Sequence, residues 1–165
     1  MTKPDGKHAE QDQARQKLIH DLNEDLAREY QAMIAYVVYS QVLKGAEFMS
    51  IAAELEKHAA QELSHALIIA KQIDYLGGAP VVQPKPVKVT EDNRAMLQAD
   101  LENEVETIRN YRQRVSQCEQ LGEYAMAELI RGILVNEQEH EIDLSTALGI
   151  QVAQAVIDKK SAAAD

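Results

Sequence analysis

Apolar residues recur at alternating spacings of three and four along most of this sequence, in four long stretches. That spacing places apolar side chains on one face of an α-helix and is typical of helices that pack in a bundle. The inward-facing positions of the four predicted helices are Leu22, Leu26, Glu29, Met33, Tyr36, Ser40 and Leu43; Ile51, Leu55, His58, Glu62, His65, Ile69, Gln72 and Leu76; Leu97, Leu101, Glu104, Ile108, Tyr111, Val115 and Cys118; and Met126, Ile130, Ile133, Glu137, His140, Leu144 and Ala147. The chain is therefore predicted to be all-α.

Glycines and prolines mark where the predicted helices end. Gly45 and Gly122 allow short links after the first and third helices. Gly77 and Gly78 end the second helix, and the segment APVVQPKPVKV that follows contains three prolines, which exclude helix. Thr90 is the predicted N-cap of the third helix. Two antiparallel helix hairpins joined by a long crossover make the ferritin-like form of the four-helix bundle.

The same breaks divide the chain into three parts. We call the line of inward-facing positions along each predicted helix its seam. We expect residues 1–17 to be a flexible N-terminal tail, because this stretch mixes charges and lacks a seam. Residues 18–149 are predicted to form the bundle. Gly149 interrupts the last seam, so residues 150–165 are predicted to form a short fifth helix and a C-terminal tail.

Composition and charge narrow the class of protein. The 165 residues, 45% of them hydrophobic, suit one globular domain, and the net charge of -10 argues against nucleic-acid binding. The single Cys118 cannot form an internal disulfide, and no apolar run is long enough to cross a membrane. We expect a cytoplasmic protein with neither nucleic acid nor membrane as a partner.

Charged residues interrupt the middle of every predicted seam. The first and third helices each contribute one Glu, and the second and fourth each contribute a Glu with a His three residues later, on the same helical face. These residues are Glu29, Glu62, His65, Glu104, Glu137 and His140. The two glutamates of each hairpin are 33 residues apart in both hairpins, so the halves repeat each other.

Four carboxylates inside a bundle would each cost several kcal/mol without partners, and no Lys or Arg lies on the seams near them. Protonation of some of them is one solution. Two divalent cations are a better one, because they offset four carboxylates and use two neutral imidazoles as ligands. The pattern predicts a dinuclear carboxylate site for iron or manganese. A purely structural bundle without metal is the alternative.

Two further seam residues lie near this predicted site. His58 is one turn before Glu62 and is interpreted as a core histidine, an outer-sphere base or part of an iron entry route. Tyr36, two turns after Glu29, is a candidate catalytic residue beyond the ligands, with packing as the alternative role, because a buried tyrosine hydroxyl needs a partner.

Four segments resemble the bacterioferritins: LAREYQAMIAY, AAQELSHA, LENEVETIRNY and LVNEQEHEIDL, with the crossover LGGAPVVQPKPVKV between the hairpins. The resemblance covers about residues 18 to 149. It implies a ferroxidase that binds two Fe(II) ions at the six residues above, with Glu62 and Glu137 bridging, and oxidises them with oxygen or hydrogen peroxide. Mn or Zn could replace iron, and Tyr36 matches a tyrosine beside the centre. It also implies a homo-oligomer, either a dimer or a larger cage.

The sequence departs from that family at three positions. Bacterioferritins place a haem-ligating methionine directly after the second-helix Glu, but Leu63 stands here, so haem is not expected. Lys57 and Gln61 occupy the places of the His and Asp of the family's inner-surface iron site. A rubrerythrin-like oxidoreductase acting on peroxide or an organic substrate is the alternative function, although Thr107 stands where rubrerythrins have a further Glu.

Overall fold

The computed structural model of the protein describes residues 6–152. Its helices are α1 (Gly6–Val42), α2 (Met49–Tyr75), α3 (Asn93–Gln120) and α4 (Tyr124–Leu148), with a short 3-10 turn at Ala46–Phe48 between α1 and α2. The described residues contain no strand. The predicted all-α, four-helix architecture is confirmed.

The helices pack as two hairpins. α1 makes most of its contacts with α2, and α3 with α4, while fewer contacts join α1 to α3 and α2 to α4. The buried apolar side chains form two clusters, one around Leu22, Ile69 and Ile130 and the other around Leu55 and Leu97. On every helix the charged seam residues fall between these clusters, so the polar centre is closed at both ends by apolar packing.

The start of α1 differs from the prediction. Residues 6–17, expected to be part of a flexible tail, are helical and continuous with the bundle, and residues 8–17 are all exposed. The helix is about three turns longer than predicted. The stretch is rich in Gln, Ala and Lys, which favour helix without burial, and the helix that follows supplies the nucleus.

The N-cap of α3 also differs from the prediction. Asp92, not Thr90, caps the helix, because the Asp92 carboxylate accepts a hydrogen bond from the Ala95 amide at 2.7 Å. Thr90 acts one step earlier: its hydroxyl accepts from the Asp92 amide at 3.2 Å. Two polar residues in succession thus direct the crossover into α3.

The crossover is tied along α1. The Asn23 side chain accepts from the Val81 amide at 2.7 Å and donates to the Ala79 carbonyl at 3.2 Å. Farther along, the Lys85 amide donates to the Ala27 carbonyl at 2.9 Å. These contacts give the proline-rich segment the backbone partners that it cannot find within itself.

Gly149 ends α4 in the left-handed conformation, with a φ of 72°. This fits the predicted break. The short fifth helix and tail predicted for residues 150–165 lie largely outside the described residues, which stop at 152. Within the described part of the chain, no helix has the length and apolar character needed to cross a membrane.

Candidate metal centre

The six predicted site residues converge at the middle of the bundle. All of their side chains are almost fully buried, with exposed fractions of 3% or less. They form two groups of potential ligands, in each of which one atom per residue lies within 4.8 Å of the others. The first group is Glu29, Glu62, His65 and Glu137, and the second is Glu62, Glu104, Glu137 and His140. Glu62 and Glu137 belong to both groups, so each can reach two ions at once.

Each imidazole faces three carboxylates through its Nδ1 atom. The Nδ1 of His65 lies 3.0 Å from Glu137, 3.2 Å from Glu62 and 3.3 Å from Glu29. The Nδ1 of His140 lies 3.0 Å from Glu62, 3.3 Å from Glu137 and 3.8 Å from Glu104. The two imidazoles therefore occupy equivalent positions on either side of the shared glutamates.

Several of these close atoms form no hydrogen bond. The Nδ1 of His140, Oε1 of Glu62 and both oxygens of Glu137 are buried without an aligned partner, and so is one oxygen of Glu29. Buried polar atoms almost always have partners, and clusters of unsatisfied ones mark an ion or a functional strain. Carboxylate oxygens and imidazole nitrogens in this arrangement suit a divalent first-row transition metal.

The mutual fields of these groups change their proton affinities. Burial, followed by repulsion from the charge of Glu62 or Glu137, raises the pKa of Glu29 and Glu104 well above the usual range. Burial alone would lower the pKa of His140, but the surrounding carboxylates raise it to about 12. The pKa of His65 is raised in the same way. Without metal, the centre therefore holds protons that an incoming cation must displace.

Two tyrosines brace the carboxylates. The Tyr36 hydroxyl donates to Oε1 of Glu104, and the Tyr111 hydroxyl donates to Oε1 of Glu29. Tyr36 thus lies next to the ligand set, where its hydrogen bond goes to Glu104 of α3. Sequence reasoning treated Tyr111 only as a seam residue. The sequence did contain a signal for Tyr111: each of the two tyrosines follows the Glu of its own helix by seven residues, which predicts equivalent positions.

Two amide side chains orient the imidazoles from behind. The Gln61 side-chain oxygen lies 2.9 Å from Nε2 of His140, and that of Asn136 lies 3.3 Å from Nε2 of His65. An oxygen acceptor at Nε2 holds the proton there and leaves the Nδ1 lone pair for a cation. Gln61, which stands at an iron-site position of the bacterioferritins, has this orienting contact in the structure.

A buried arginine lies on the Glu29 side of the centre. Nε of Arg114 donates to Asp25 at 2.7 Å, and its Nη1 lies 2.9 Å from the Gln117 side-chain oxygen. Burial, against the attraction of Arg114, raises the pKa of Asp25 to about 6. This ion pair was not predicted from the sequence. Arg114 directly precedes the predicted seam position Val115, so it was not placed on the inward face of the helix.

On the Glu104 side of the centre, no arginine among the described residues forms an ion pair with Asp100. Asp100 is 2% exposed, and its Oδ2 has no hydrogen-bond partner in the described part of the chain. Burial, followed by the charge of Glu62, raises its pKa well above the usual range. Asp100 also borders a cavity of about 210 Å³ that Tyr39 and the crossover residue Lys88 help to line.

His58 is stacked on the centre from the α2 side. Its ring lies 3.9 Å from the His140 ring, centroid to centroid, and its Nε2 lies 3.2 Å from Asp143. Burial and the neighbouring His140 lower its pKa to about 4. Of the three roles considered from the sequence, a satisfied core histidine fits these contacts least well, because Nδ1 of His58 is buried without a hydrogen-bond partner among the described residues.

The haem position of the bacterioferritins does not fit a haem in this chain. Leu63 is half exposed on α2 and has no atom that can ligate iron. The absence of haem at this position stays a prediction.

A family model described as the ferritin-like domain matches residues 19–151. The bacterioferritin of Desulfovibrio desulfuricans is 30% identical over 125 residues, which cover 75% of this chain and 70% of that protein. The bacterioferritin of Brucella melitensis is 26% identical over 135 residues, which cover 81% of this chain and 84% of that protein. A crystal structure described as ferritin like, diiron-carboxylate proteins from Bacillus anthracis str. Ames has a TM-score of 0.78 and 33% identity, with 82% of this chain and 97% of that chain covered.

These matches agree with the fold and with the four-helix site. The chain belongs to the ferritin-like family. Within that family it is bacterioferritin-like, as the resemblance of the sequence predicted.

Proposed function

We propose that the protein is a ferroxidase of bacterioferritin type, which binds two Fe(II) ions per chain and oxidises them to Fe(III). The observation that carries the proposal is the pair of ligand groups sharing Glu62 and Glu137, because shared carboxylates are what two neighbouring ions require. The proposed ligands are Glu29, Glu62, His65, Glu104, Glu137 and His140. The resemblance to a structure described as a diiron-carboxylate protein supports iron as the metal.

The reaction needs two electrons, and each Fe(II) supplies one. With oxygen as acceptor, two Fe(II), one O₂ and two protons give two Fe(III) and one H₂O₂. With peroxide as acceptor, two Fe(II), one H₂O₂ and two protons give two Fe(III) and two waters. The product ions are then stored or kept from further redox chemistry.

The protein's part in this reaction is to hold the ligands and to handle protons. Tyr36 and Tyr111 fix one oxygen of Glu104 and of Glu29, which leaves the other oxygen of each carboxylate for an ion. Burial at the middle of the bundle keeps bulk water away from the reacting ions. The protons held at the metal-free centre leave as the ions bind.

The test is the rate of Fe(II) oxidation, followed by absorbance in stopped flow, together with the number of Fe(II) ions bound without oxygen. We expect about two ions per chain and fast oxidation. The double variant Glu62→Ala/Glu137→Ala should lose both properties. The matched control, Glu56→Ala/Glu128→Ala, removes two exposed carboxylates from the same helices and should keep both. Unchanged oxidation kinetics in the double site variant would refute the assignment.

The protein is further proposed to work as a homo-oligomer, a dimer or a larger cage, in the cytoplasm. The size of the assembly before and after loading with Fe(II) separates this function from the alternative. A hollow assembly that gains iron beyond two ions per chain supports storage. A small assembly that turns over peroxide or an organic substrate, without accumulating iron, supports the rubrerythrin-like oxidoreductase instead.

A further inference from the structure

A third group of metal-binding side chains lies beside the six residues of the centre. Glu54 and His58 are on α2 and Asp143 is on α4, and one potential ligand atom of each lies within 4.8 Å of the others. The group shares no residue with the two ligand groups of the centre. It contacts the centre through the stacked rings of His58 and His140, 3.9 Å apart, and through the edge contact of His58 with Tyr36, 5.5 Å between centroids.

The imidazole of His58 is not satisfied by the protein. Its side chain is 4% exposed, its Nε2 lies 3.2 Å from Asp143, and its Nδ1 has no hydrogen-bond partner within residues 6–152. If the proton is on Nε2, the Nδ1 lone pair is left bare. If it is on Nδ1, that N–H is unpaired and the Nε2 lone pair faces a carboxylate. Neither tautomer satisfies both nitrogens. With the proton on Nδ1, an ion between Nε2 and Asp143 would replace the repulsion between the lone pair and the carboxylate, and a water would be left to pair with the Nδ1 proton.

The geometry around His58 suits a cation. Two atoms that bind one ion at about 2.1 Å lie about 3.0 Å apart at right angles and about 3.4 Å apart in a tetrahedron. The 3.2 Å between Nε2 of His58 and Asp143 falls between these values. Exposure falls along the group, from 42% for the Asp143 side chain and 38% for Glu54 to 4% for His58. The group therefore joins solvent to the interior on the α2 and α4 side of the bundle.

We propose that Glu54, His58 and Asp143 bind a third divalent transition-metal ion, separate from the pair at the centre. One imidazole and two carboxylates are ligands that Zn(II), Co(II), Mn(II) and Fe(II) accept, and the two carboxylates balance the charge of the ion. Water completes its coordination on the exposed side. A role for this site in passing ions between solvent and the centre rests on the proposed ferroxidase function; the binding of the ion does not.

Lys57 competes with the proposed ion. Its ammonium lies 2.8 and 3.0 Å from the two oxygens of Glu54, so Glu54 must exchange this pair for the ion. Such an exposed pair is weak, and an ion held by two other ligands can displace it. Replacing Lys57 with Gln should therefore tighten the third site, on the order of tenfold, as changes next to metal ligands do.

The test uses Zn(II), which binds without being oxidised. Calorimetric titration with elemental analysis should give about three ions per chain for the unmodified protein and about two for Asp143→Asn or Glu54→Gln. Both substitutions are at partly exposed positions, so the fold should survive them. Glu56→Gln, which removes an exposed carboxylate two residues from Glu54, is the matched control and should keep all three ions.

The position of the ion is tested in crystals of the full chain soaked with Zn(II). An anomalous peak between His58 and Asp143 supports the site. If Asp143→Asn binds as many ions as the unmodified protein, or no peak is found there, the proposal is wrong.

The variant Glu62→Gln/Glu137→Gln distinguishes this proposal from the proposed function. We expect it to lose the two ions of the centre and to keep the third. If the unmodified protein binds only an ion that Asp143→Asn removes, the dinuclear centre fails and the third site stands. If it binds two ions that only the Glu62→Gln/Glu137→Gln change removes, the reverse holds.

Discussion

The hairpin α1–α2 and the hairpin α3–α4 carry the same inward-facing polar residues but differ in what surrounds them. Adding 75 to a residue number in the first hairpin gives its counterpart in the second. The matched pairs are Asp25 and Asp100, Glu29 and Glu104, Tyr36 and Tyr111, Gln61 and Asn136, Glu62 and Glu137, and His65 and His140. Each tyrosine and each amide contacts a ligand on the opposite hairpin. The repeated set is therefore the part that the proposed dinuclear centre needs.

The differences lie one layer farther out. Arg114 pairs with Asp25, but its counterpart Tyr39 donates to the Lys88 carbonyl, and Asp100 is left with an unpartnered oxygen. His58 has Ile133 as its counterpart. One flank of the centre is thus closed by an ion pair, while the other has polar groups that lead outward. The two flanks of the centre therefore differ in their polar contacts, although the ligand sets match.

The outward faces differ as well. The exposed residues Ile34, Val37 and Val38 on α1 correspond to Arg109, Arg112 and Gln113 on α3. Three neighbouring exposed apolar residues on one helix face are typical of an interface with another copy of the chain. The matched positions on α3 are charged or polar, although α4 of the second hairpin exposes other apolar residues, such as Val135 and Ile142.

The ion pair gives the largest expected effect. Arg114→Met should lower the free energy of unfolding by about 3 to 5 kcal/mol, because it leaves Asp25 buried without its cation. The matched change Tyr39→Phe should cost only about 1 kcal/mol, the value of a hydrogen bond. Urea denaturation of both variants measures the difference. Equal losses would show that the two flanks are supported alike.

The outward faces give the next largest effect. Val38→Glu should weaken self-association about a hundredfold or more, because the interface would bury an unpaired charge. Gln113→Glu, the same change at the matched position of the other hairpin, should leave the assembly intact. Sedimentation velocity gives the size of both variants. An assembly unaffected by Val38→Glu would place the interface elsewhere.

The amides behind the imidazoles test whether the two halves of the centre are equivalent. Gln61→Leu and Asn136→Leu should each weaken Zn(II) binding by about 10- to 100-fold. Gln61 should have the larger effect, since its contact is 2.9 Å and that of Asn136 is 3.3 Å. Titration calorimetry measures both, with Gln138→Leu as the exposed control on α4. A larger loss of Zn(II) affinity for Asn136→Leu than for Gln61→Leu would show that the longer contact matters more, contrary to this expectation.

A smaller effect is expected in the pH dependence of the metal-free protein. Glu29 and Glu104 have folded pKa values raised above the ordinary 4.5, so their contribution to stability is complete below that pH and is lost as the pH rises. His140, with a pKa raised to about 12, acts in the same direction above its ordinary 6.5. The melting temperature should fall between pH 5 and 8, and less steeply in Glu29→Gln and Glu104→Gln. These variants should gain about 1 kcal/mol at pH 8, because repulsion in the core is relieved. A melting temperature that rises over this range would contradict the shifts.

The smallest effect concerns haem. Leu63 and its counterpart Gln138 follow the two shared glutamates, and neither residue can ligate iron. Protein from haem-sufficient cells should show no haem absorbance, and Leu63→Met should be the change that introduces it. A stoichiometric haem spectrum from the unmodified chain would overturn this prediction.

The sequence predicted the features that depend on local spacing. The seams, the crossover and the convergence of six side chains follow from periodicity of three and four, because the helical geometry alone decides which face they share. Residues 6–17 are helical although the sequence did not predict it, because helix propensity without a line of inward-facing apolar residues leaves no periodic signal. Arg114 and Asp25 are 89 residues apart, and Tyr111 reaches Glu29 across the bundle; such contacts depend on how the hairpins dock. Docking is a tertiary property that a single sequence does not display.

The contacts that cross between the hairpins couple the proposed metal binding to the docking of the two hairpins. Since Tyr36, Tyr111, Gln61 and Asn136 hold groups of the opposite hairpin, the site exists only while the two hairpins are docked. An ion bound there at a hundred times its dissociation constant stabilises the docked state by about 2.7 kcal/mol, which makes opening about a hundredfold rarer. If the proposed ions bind, the metal-filled protein should therefore be cleaved by a protease more slowly than the metal-free protein, because cleavage requires opening.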